Sequence, residues 1–417
     1  MNRVVVTGIG LVTPIGIGKE AFWKSNLEGK SGTKKEPKFE KFNFQSTTFG
    51  YVSDFDPQRL GLTLSEIRRM DRLTQFAVVA ADEAVKDADI NWREIDREKA
   101  GVNIANAVAG TKFMDEEFSV LTNNGNQNSF DIDDVSPYAY SRSMPNTTSN
   151  EIAGRYGLQG SCCTMSTGCT AGIDAIGFLY DEIRLGNLEI AIGGATEAPI
   201  TPITIAAFES IDALSKHNDP CEKASRPFDD TRNGFVLAEA SAVIILEEYG
   251  HAKKRGAHIY GEIKGYSSGN NAIHMTALQP DGEDLAHVIE NAIKEAKIEK
   301  EDIDYINAHG SGTKQNDNNE TGAFKRVFGD YIYNIPISST KSMTGHPLGA
   351  ASAVEIAVCC LVLENQFIPP TINYEHKDEY CDLNYVPNKG IKADINSILT
   401  DASGFSGIHS ALILGKL

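Results

Sequence analysis

Two pairs of short stretches echo each other along this chain, in the same order. "AVKDADI" at 84–90 is matched by "AIKEAKI" at 292–298, and "TGCTAG" at 167–172 by "TGHPLG" at 344–349. Each member of the first pair closes a helical pattern and leads through a polar linker into a strand-like run, "AGVNIANA" or "IDYINAHG". Each member of the second pair opens a helix rich in small and apolar residues. Repeats in the same order point to duplication, with each half supplying its own strands and helices. Such a chain has few architectures open to it, because the two halves must bury matching faces.

Strand-like, β-branched runs alternate with helical patterns, which predicts a layered α/β fold. "RVVVTGIG", "AGVNIANA", "EIAIGG" and "AVIILEE" read as strands of the first half; "YGEIKGY", "IDYINAHG", "IPISS" and "SALILG" read as strands of the second. The seam falls near 251–263, where a charged helix end passes into a new strand, giving halves at 1–255 and 256–417. No Pro-rich or low-complexity linker interrupts the chain, so the halves are expected to pack as one body. The polar stretch 121–150 is expected to lie over the first half.

Charge and composition narrow the function. A formal net charge of -18 argues against general binding to nucleic acid or an anionic membrane. No apolar run approaches the roughly 20 residues that span a bilayer. The chain opens on a strand and turn, "MNRVVVTGIG", rather than a leader-like segment. Its seven cysteines are odd in number and lack CxxC spacing, which fits free thiols in a reducing cytoplasm.

The candidate chemistry starts at Cys169, which follows Gly168 and opens a helix expected to run to about Leu185, with Gly186 as its stop. A helix N-terminus offers free N–H groups and a positive dipole end, both of which favour thiolate. The adjacent Cys162 and Cys163, in a strand-like run, read as ordinary buried small residues. His309 ends the strand "DYINAHG" and enters a glycine loop, where open α/β sheets place ligands. His346 stands at the position in "TGHPLG" that Cys169 holds in "TGCTAG". If the halves pack about a pseudo-twofold axis, the two helix starts converge and bring thiol and imidazole together. One thiol and two imidazoles suit thioester chemistry: the sulfur stores an acyl group while ring N–H groups stabilise an enolate or oxyanion. Lys341 and Glu320 are candidate supports that would pair if buried together. Phe405, in the turn "GFSG" at 404–407, offers a backbone N–H and a ring that could gate a pocket.

With these residues stand longer markers: "VVVTGIGLVTPIG", "GGATEAPITP", "ASRPFDDTRNGFV", "INAHGSGTKQND" and "KSMTGHPLGAA". Together with "TGCTAG" they resemble the β-ketoacyl synthase family of condensing enzymes over essentially the whole chain. The resemblance implies a thiolase-like fold: a duplicated, five-layered α-β-α-β-α architecture with pseudo-twofold halves. "HGSGTKQND" and "AIHMTALQPDG" (272–282) are most similar to the ketosynthase alpha subunits of bacterial type II aromatic polyketide synthases. The alternatives are a synthase II of fatty-acid elongation, which forms a homodimer, and a non-catalytic chain-length subunit. Cys169, His309 and His346 speak against the last.

The resemblance also implies roles. Cys169 takes an acyl or polyketide chain from the phosphopantetheine arm of an acyl carrier protein. His309 and His346 promote decarboxylation of a malonyl unit and hold the enolate. The N–H groups of Cys169 and Phe405 form an oxyanion hole, and Lys341 with Glu320 supports the histidines. Met114 falls where relatives place an acyl-pocket residue at the subunit interface, and Arg68, Arg69 and Arg72 match a basic region that docks the carrier. A homologous chain-length factor is the implied heterodimer partner, and no metal or diffusible cofactor is implied. Three departures from the family pattern stand out: Ser403 and Ser406 in "DASGFSG", where an aromatic and a glycine are usual, and the alanines of "FVLAEAS".

Overall fold

The computed structural model describes residues 1–417, the side chain of Pro280 excepted. Its first half contributes five main strands: β1 (Val4–Thr13), β2 (Ala100–Ala105), β3 (Cys162–Cys163), β4 (Ile190–Glu197) and β5 (Ala240–Glu248). The second half contributes β6 (Gly261–Asn270), β7 (Tyr305–Asn307), β8 (Ile337–Ser338), β9 (Ser397–Gly404) and β10 (Ile408–Gly415). Hydrogen bonding orders them β8-β7-β9-β10-β6-β1-β5-β4-β2-β3.

This order reads identically from the centre outwards. In each half the first strand neighbours the fifth, then the fourth, the second and the third. The senses match as well: second with third and second with fourth run parallel, while fourth with fifth and fifth with first run antiparallel. β1 and β6 pair antiparallel and join the halves. The duplication read from four short stretches is therefore carried by the whole topology.

The layers follow from side-chain alternation. On β5, Ala242, Ile244 and Leu246 face one apolar cluster, while Val243 and Ile245 face another. On β10, Leu412 and Leu414 share the first cluster, while Ala411 and Ile413 turn to a third. The first cluster holds two central helices, α3 (Ala171–Arg184) and α6 (Ala351–Asn365). The second packs α1 (Arg72–Asp87) on the outer face of the first half. The third packs α4 (Glu283–Ala296) and α5 (Lys314–Phe328) on the outer face of the second. The result is helix, sheet, helices, sheet, helices.

α6 is buried around its whole circumference from Ala351 to Leu363, so it is a core helix despite being apolar enough to cross a membrane. α3 and α6 touch where small residues let their backbones approach: a Cβ on Gly172 would lie 2.4 Å from the Ala353 nitrogen. Helix α2 (Thr111–Leu121) leads into the 121–150 segment, which packs on the first half through Arg142 with Asp71 and Ser141 with Arg69. Strand β9 was not expected from the sequence. Cys162 and Cys163 also depart from expectation: β3 is the edge strand, Cys162 is exposed and Cys163 half-buried.

Candidate active site

Cys169 sits in a single 3-10 turn, Gly168–Thr170, directly ahead of α3. Gly168 takes φ +67, a left-handed conformation that glycine adopts without strain. Ser352, from the start of α6, donates its hydroxyl to the Cys169 carbonyl at 3.0 Å and accepts the Ile173 N–H at 3.1 Å. The residue as a whole is half-buried, while its sulfur lies buried beside the two histidines. Burial pushes its pKa up to about 12, against the opposing pull of Lys341 and of the Phe405 backbone N–H. Desolvation thus opposes the thiolate that the helix start favours.

His309 and His346 reach the same point from the second half. The Cys169 sulfur and one nitrogen of each ring all lie within 4.8 Å of one another. The two rings meet edge to face, with centroids 5.2 Å apart at 78°. The outer contacts fix the tautomers. Leu348 N–H donates to His346 Nδ1 at 3.1 Å, and Lys341 Nζ approaches His309 Nδ1 at 3.3 Å and the His309 carbonyl at 2.6 Å. Both Nδ1 atoms therefore accept, and each ring hydrogen sits on Nε2. Burial, and then Lys341, hold both imidazoles well below the ordinary histidine range, with His346 adding to the effect on His309.

These tautomers bear on metal binding. A metal-bound imidazole offers the lone pair of one nitrogen while the other nitrogen donates outwards. Here the outward nitrogens accept, so the inward ones carry hydrogens. The cluster is arranged to donate two N–H groups beside a thiol.

Lys341 corrects an expectation. Its amine pairs with Glu355 of α6, and not with Glu320. Glu320 lies on the far side of the His309 loop, where Oε2 accepts the Gly310 N–H at 2.9 Å and Asn316 Nδ2 at 3.3 Å. Its carboxyl is held well above the ordinary range by burial and by Asp401 beside it; Asp401 itself is pushed up to about 6 by burial. Glu355 and Asp401 were missed in the sequence. Glu355 had a signal: it is the single charged residue in the apolar run "ASAVEIAVCCLVL", and a buried carboxylate needs a partner.

The thiol and both rings open into a cavity of about 110 Å³ walled by Ala107, Val108, Phe208, Phe235, Leu348 and Phe405. The Phe405 ring stacks on Phe208 at 6.2 Å, and Phe235 lies 5.0 Å from the His346 ring. Met114 is not part of this wall: it is 45% exposed on α2, beside the exposed Phe118 and Val120. The three arginines separate. Arg68 is exposed, Arg69 forms a two-pronged pair with Glu151, and Arg72 turns inwards to Glu239 and the Val52 carbonyl. A guanidinium committed to a buried carboxylate cannot dock a carrier, which removes Arg72 from that expectation.

The model of the β-ketoacyl synthase N-terminal domain matches residues 1–252, and that of the C-terminal domain matches 260–375. The chain belongs to the β-ketoacyl synthase family. Among its relatives is the tetracenomycin polyketide synthase ketoacyl synthase alpha subunit of Streptomyces glaucescens, 43% identical over 415 residues, 100% of this chain and 97% of that one. Among solved structures, this synthase is similar to a type II polyketide synthase ketosynthase in complex with its acyl carrier protein and bound to a hexaketide, AntDE:AntF. The TM-score is 0.93 at 42% identity, covering 100% and 99% of the two chains. It is also similar to the ishigamide ketosynthase/chain length factor, with a TM-score of 0.90 at 33% identity, covering 100% and 99%. The synthase is accordingly a condensing enzyme of the acyltransferase class, with the α/β fold of its relatives.

Proposed function

We propose that this synthase is the ketosynthase alpha subunit of a type II polyketide synthase and joins malonyl units to a chain held on Cys169. The observation that carries the reading is a thiol facing two imidazoles that both present Nε2–H. A hydrolase would need one of these rings as a base with a free inward lone pair. Two fixed donors instead suit an anion that appears on a substrate oxygen during reaction.

The Cys169 sulfur attacks the carrier-bound thioester. A carbon–sulfur bond forms to Cys169, the one to the pantetheine arm breaks, and the Cys169 proton passes to the departing pantetheine sulfur, with the Cys169 and Phe405 N–H groups facing the transient oxyanion. Malonyl carrier protein then enters. Loss of CO2 leaves its electron pair on the enolate, whose oxygen accepts from His309 and His346. The enolate carbon attacks the Cys169 thioester, and the thiolate leaves and takes up one proton. Lys341, held by Glu355, steers His309, while Glu320 and Asp401 anchor its loop. No metal or diffusible cofactor takes part, and free thiols fit work in the cytoplasm.

A homologous chain-length factor is the proposed partner, supported by the exposed apolar side chains of Met114, Phe118, Val120 and Ile132. Met114 would line an acyl pocket only once that partner covers it. The carrier docks near Arg68, with Arg69 as a secondary contact. Intact-mass analysis after incubation with a loaded carrier tests the reading: a covalent acyl adduct is expected and is lost in Cys169→Ala. An adduct that survives in this variant would overturn it. Co-purification with neighbouring gene products is expected to recover a cysteine-free homologue; a homodimer elongating saturated chains alone would favour fatty-acid synthesis.

A further inference from the structure

Asp174 is a buried carboxylate in the first turn of α3, with no part in the scheme above. Four hydroxyls surround it. Its Oδ2 accepts from Thr167 Oγ1 at 2.5 Å and from Thr170 Oγ1 at 2.7 Å. Its Oδ1 accepts from Tyr266 OH at 3.0 Å and from Ser410 Oγ at 2.5 Å. Four donors match the lone-pair sites of a carboxylate.

The origin of these donors is the point. Thr167 and Thr170 bracket Cys169 in the nucleophile turn, whereas Tyr266 and Ser410 stand on β6 and β10 of the second half. Tyr266 reaches over α3 only because position 177 is glycine: a Cβ there would lie 2.4 Å from its ring. Ser352 adds a separate tie from the second half to the Cys169 carbonyl. The carboxylate thus connects the turn that carries the sulfur with the sheet of the half that carries both imidazoles.

We propose that Asp174 is a positioning residue, whose carboxylate fixes the Cys169 turn against the second half and so sets the sulfur's place relative to His309 and His346. This rests on the reading of Cys169 as the acyl acceptor. Carrier-borne acyl transfer requires the sulfur, the oxyanion donors and the thioester to be aligned together. Alkylation by a small free reagent requires only a reachable thiol. Loss of positioning should therefore separate the two rates, whereas general unfolding would move both.

The test uses the full chain and three variants: Asp174→Ala, Asp174→Asn, and Thr167→Val with Thr170→Val. Acylation from a loaded carrier is followed by intact mass, and iodoacetamide alkylation of the Cys169 peptide by peptide mass. Asp174→Ala should slow acylation about 100-fold, the scale of an ångström-level misplacement, with alkylation within about threefold of wild type. Asp174→Asn should be rescued to within about tenfold, because its amide can keep four contacts when two hydroxyls reverse direction. The threonine pair should follow Asp174→Ala, and it decides the matter if that variant does not fold. Acylation within about threefold of wild type in the folded variants would overturn the proposal alone. Equal loss of both rates in folded variants would also overturn it. A wild-type chain that takes no acyl group would overturn the reading of Cys169, and this proposal with it.

Discussion

The nucleophile turn and the histidine turn hold matching places in the two halves, yet they use their helix starts differently. Each turn opens on a residue with positive φ, Gly168 at +67 and Leu348 at +43. In the first half the 3-10 turn itself carries Cys169, immediately before α3. In the second half the equivalent turn is Leu348–Ala350, so helix register matches Cys169 with Gly349, and His346 lies three residues upstream. One start leaves its space open around a thiol. The other spends the Leu348 N–H on fixing the tautomer of an imidazole. Duplication supplied two convergent helix ends, and a shift of three residues turned one into a nucleophile site and the other into a donor site.

The largest expected effect removes the difference altogether. Cys169→Ala should abolish the acyl adduct and lower condensation at least about 1,000-fold, measured as product formed per enzyme. The next concerns the support that exists only in the second half. Glu355→Ala should lower condensation about 100-fold, by leaving the Lys341 amine buried without its carboxylate. Steady-state rates check this, and a milder effect is expected from Glu320→Gln, which lies outside that pair.

A third experiment compares two close-packed glycines, Gly172 in the first turn of α3 and Gly349 in the turn before α6. A Cβ on Gly172 would meet the Ala353 nitrogen at 2.4 Å, while one on Gly349 would meet the Ala107 nitrogen at 2.9 Å. Both substitutions to alanine should destabilise, with Gly172→Ala costing more by about 1 kcal/mol in denaturant unfolding.

A fourth uses pH. Burial raises the Glu197 carboxyl to about 8, even as it accepts the Ala107 and Val108 N–H groups under the cavity wall. Its folded pKa exceeds its unfolded value, so its relative stabilisation is complete below about 4.5 and is lost as pH rises towards 8. The melting temperature of wild type relative to Glu197→Gln should therefore fall by about 2 °C or more between pH 5 and pH 8. The smallest effect lies at the surface. Arg68→Ala should raise the KM for carrier protein about two- to fivefold at low salt, with kcat unchanged and the difference shrinking as salt rises.

Much of this was legible in the sequence, for identifiable reasons. Short repeats survive where backbones must pack closely, so "TGCTAG" and "TGHPLG" betrayed the duplication, and Cys169, His309 and His346 stood at its turns. Strand β9 was not legible because "SILTDASG" carries Asp401 and Ser403 in its interior, breaking the apolar signature of a buried strand. Those polar side chains face Glu320 and His409, contacts that local sequence does not reveal. The wrong partner for Lys341 arose similarly: Glu320 and Glu355 are both close in sequence, and only the path of α6 decides between them. At Cys169 the helix dipole can be read from sequence, whereas the burial that opposes it cannot.

The central claim is that both imidazoles are neutral and hold their hydrogen on Nε2, facing the thiol. Nitrogen-15 NMR of histidine-labelled protein, with His309 and His346 assigned by substitution, tests it directly. The account predicts that both rings show a protonated Nε2 and a bare Nδ1 at pH 7, unchanged on acidification to pH 6. An imidazolium at pH 7, or a hydrogen on Nδ1 of either ring, would contradict it.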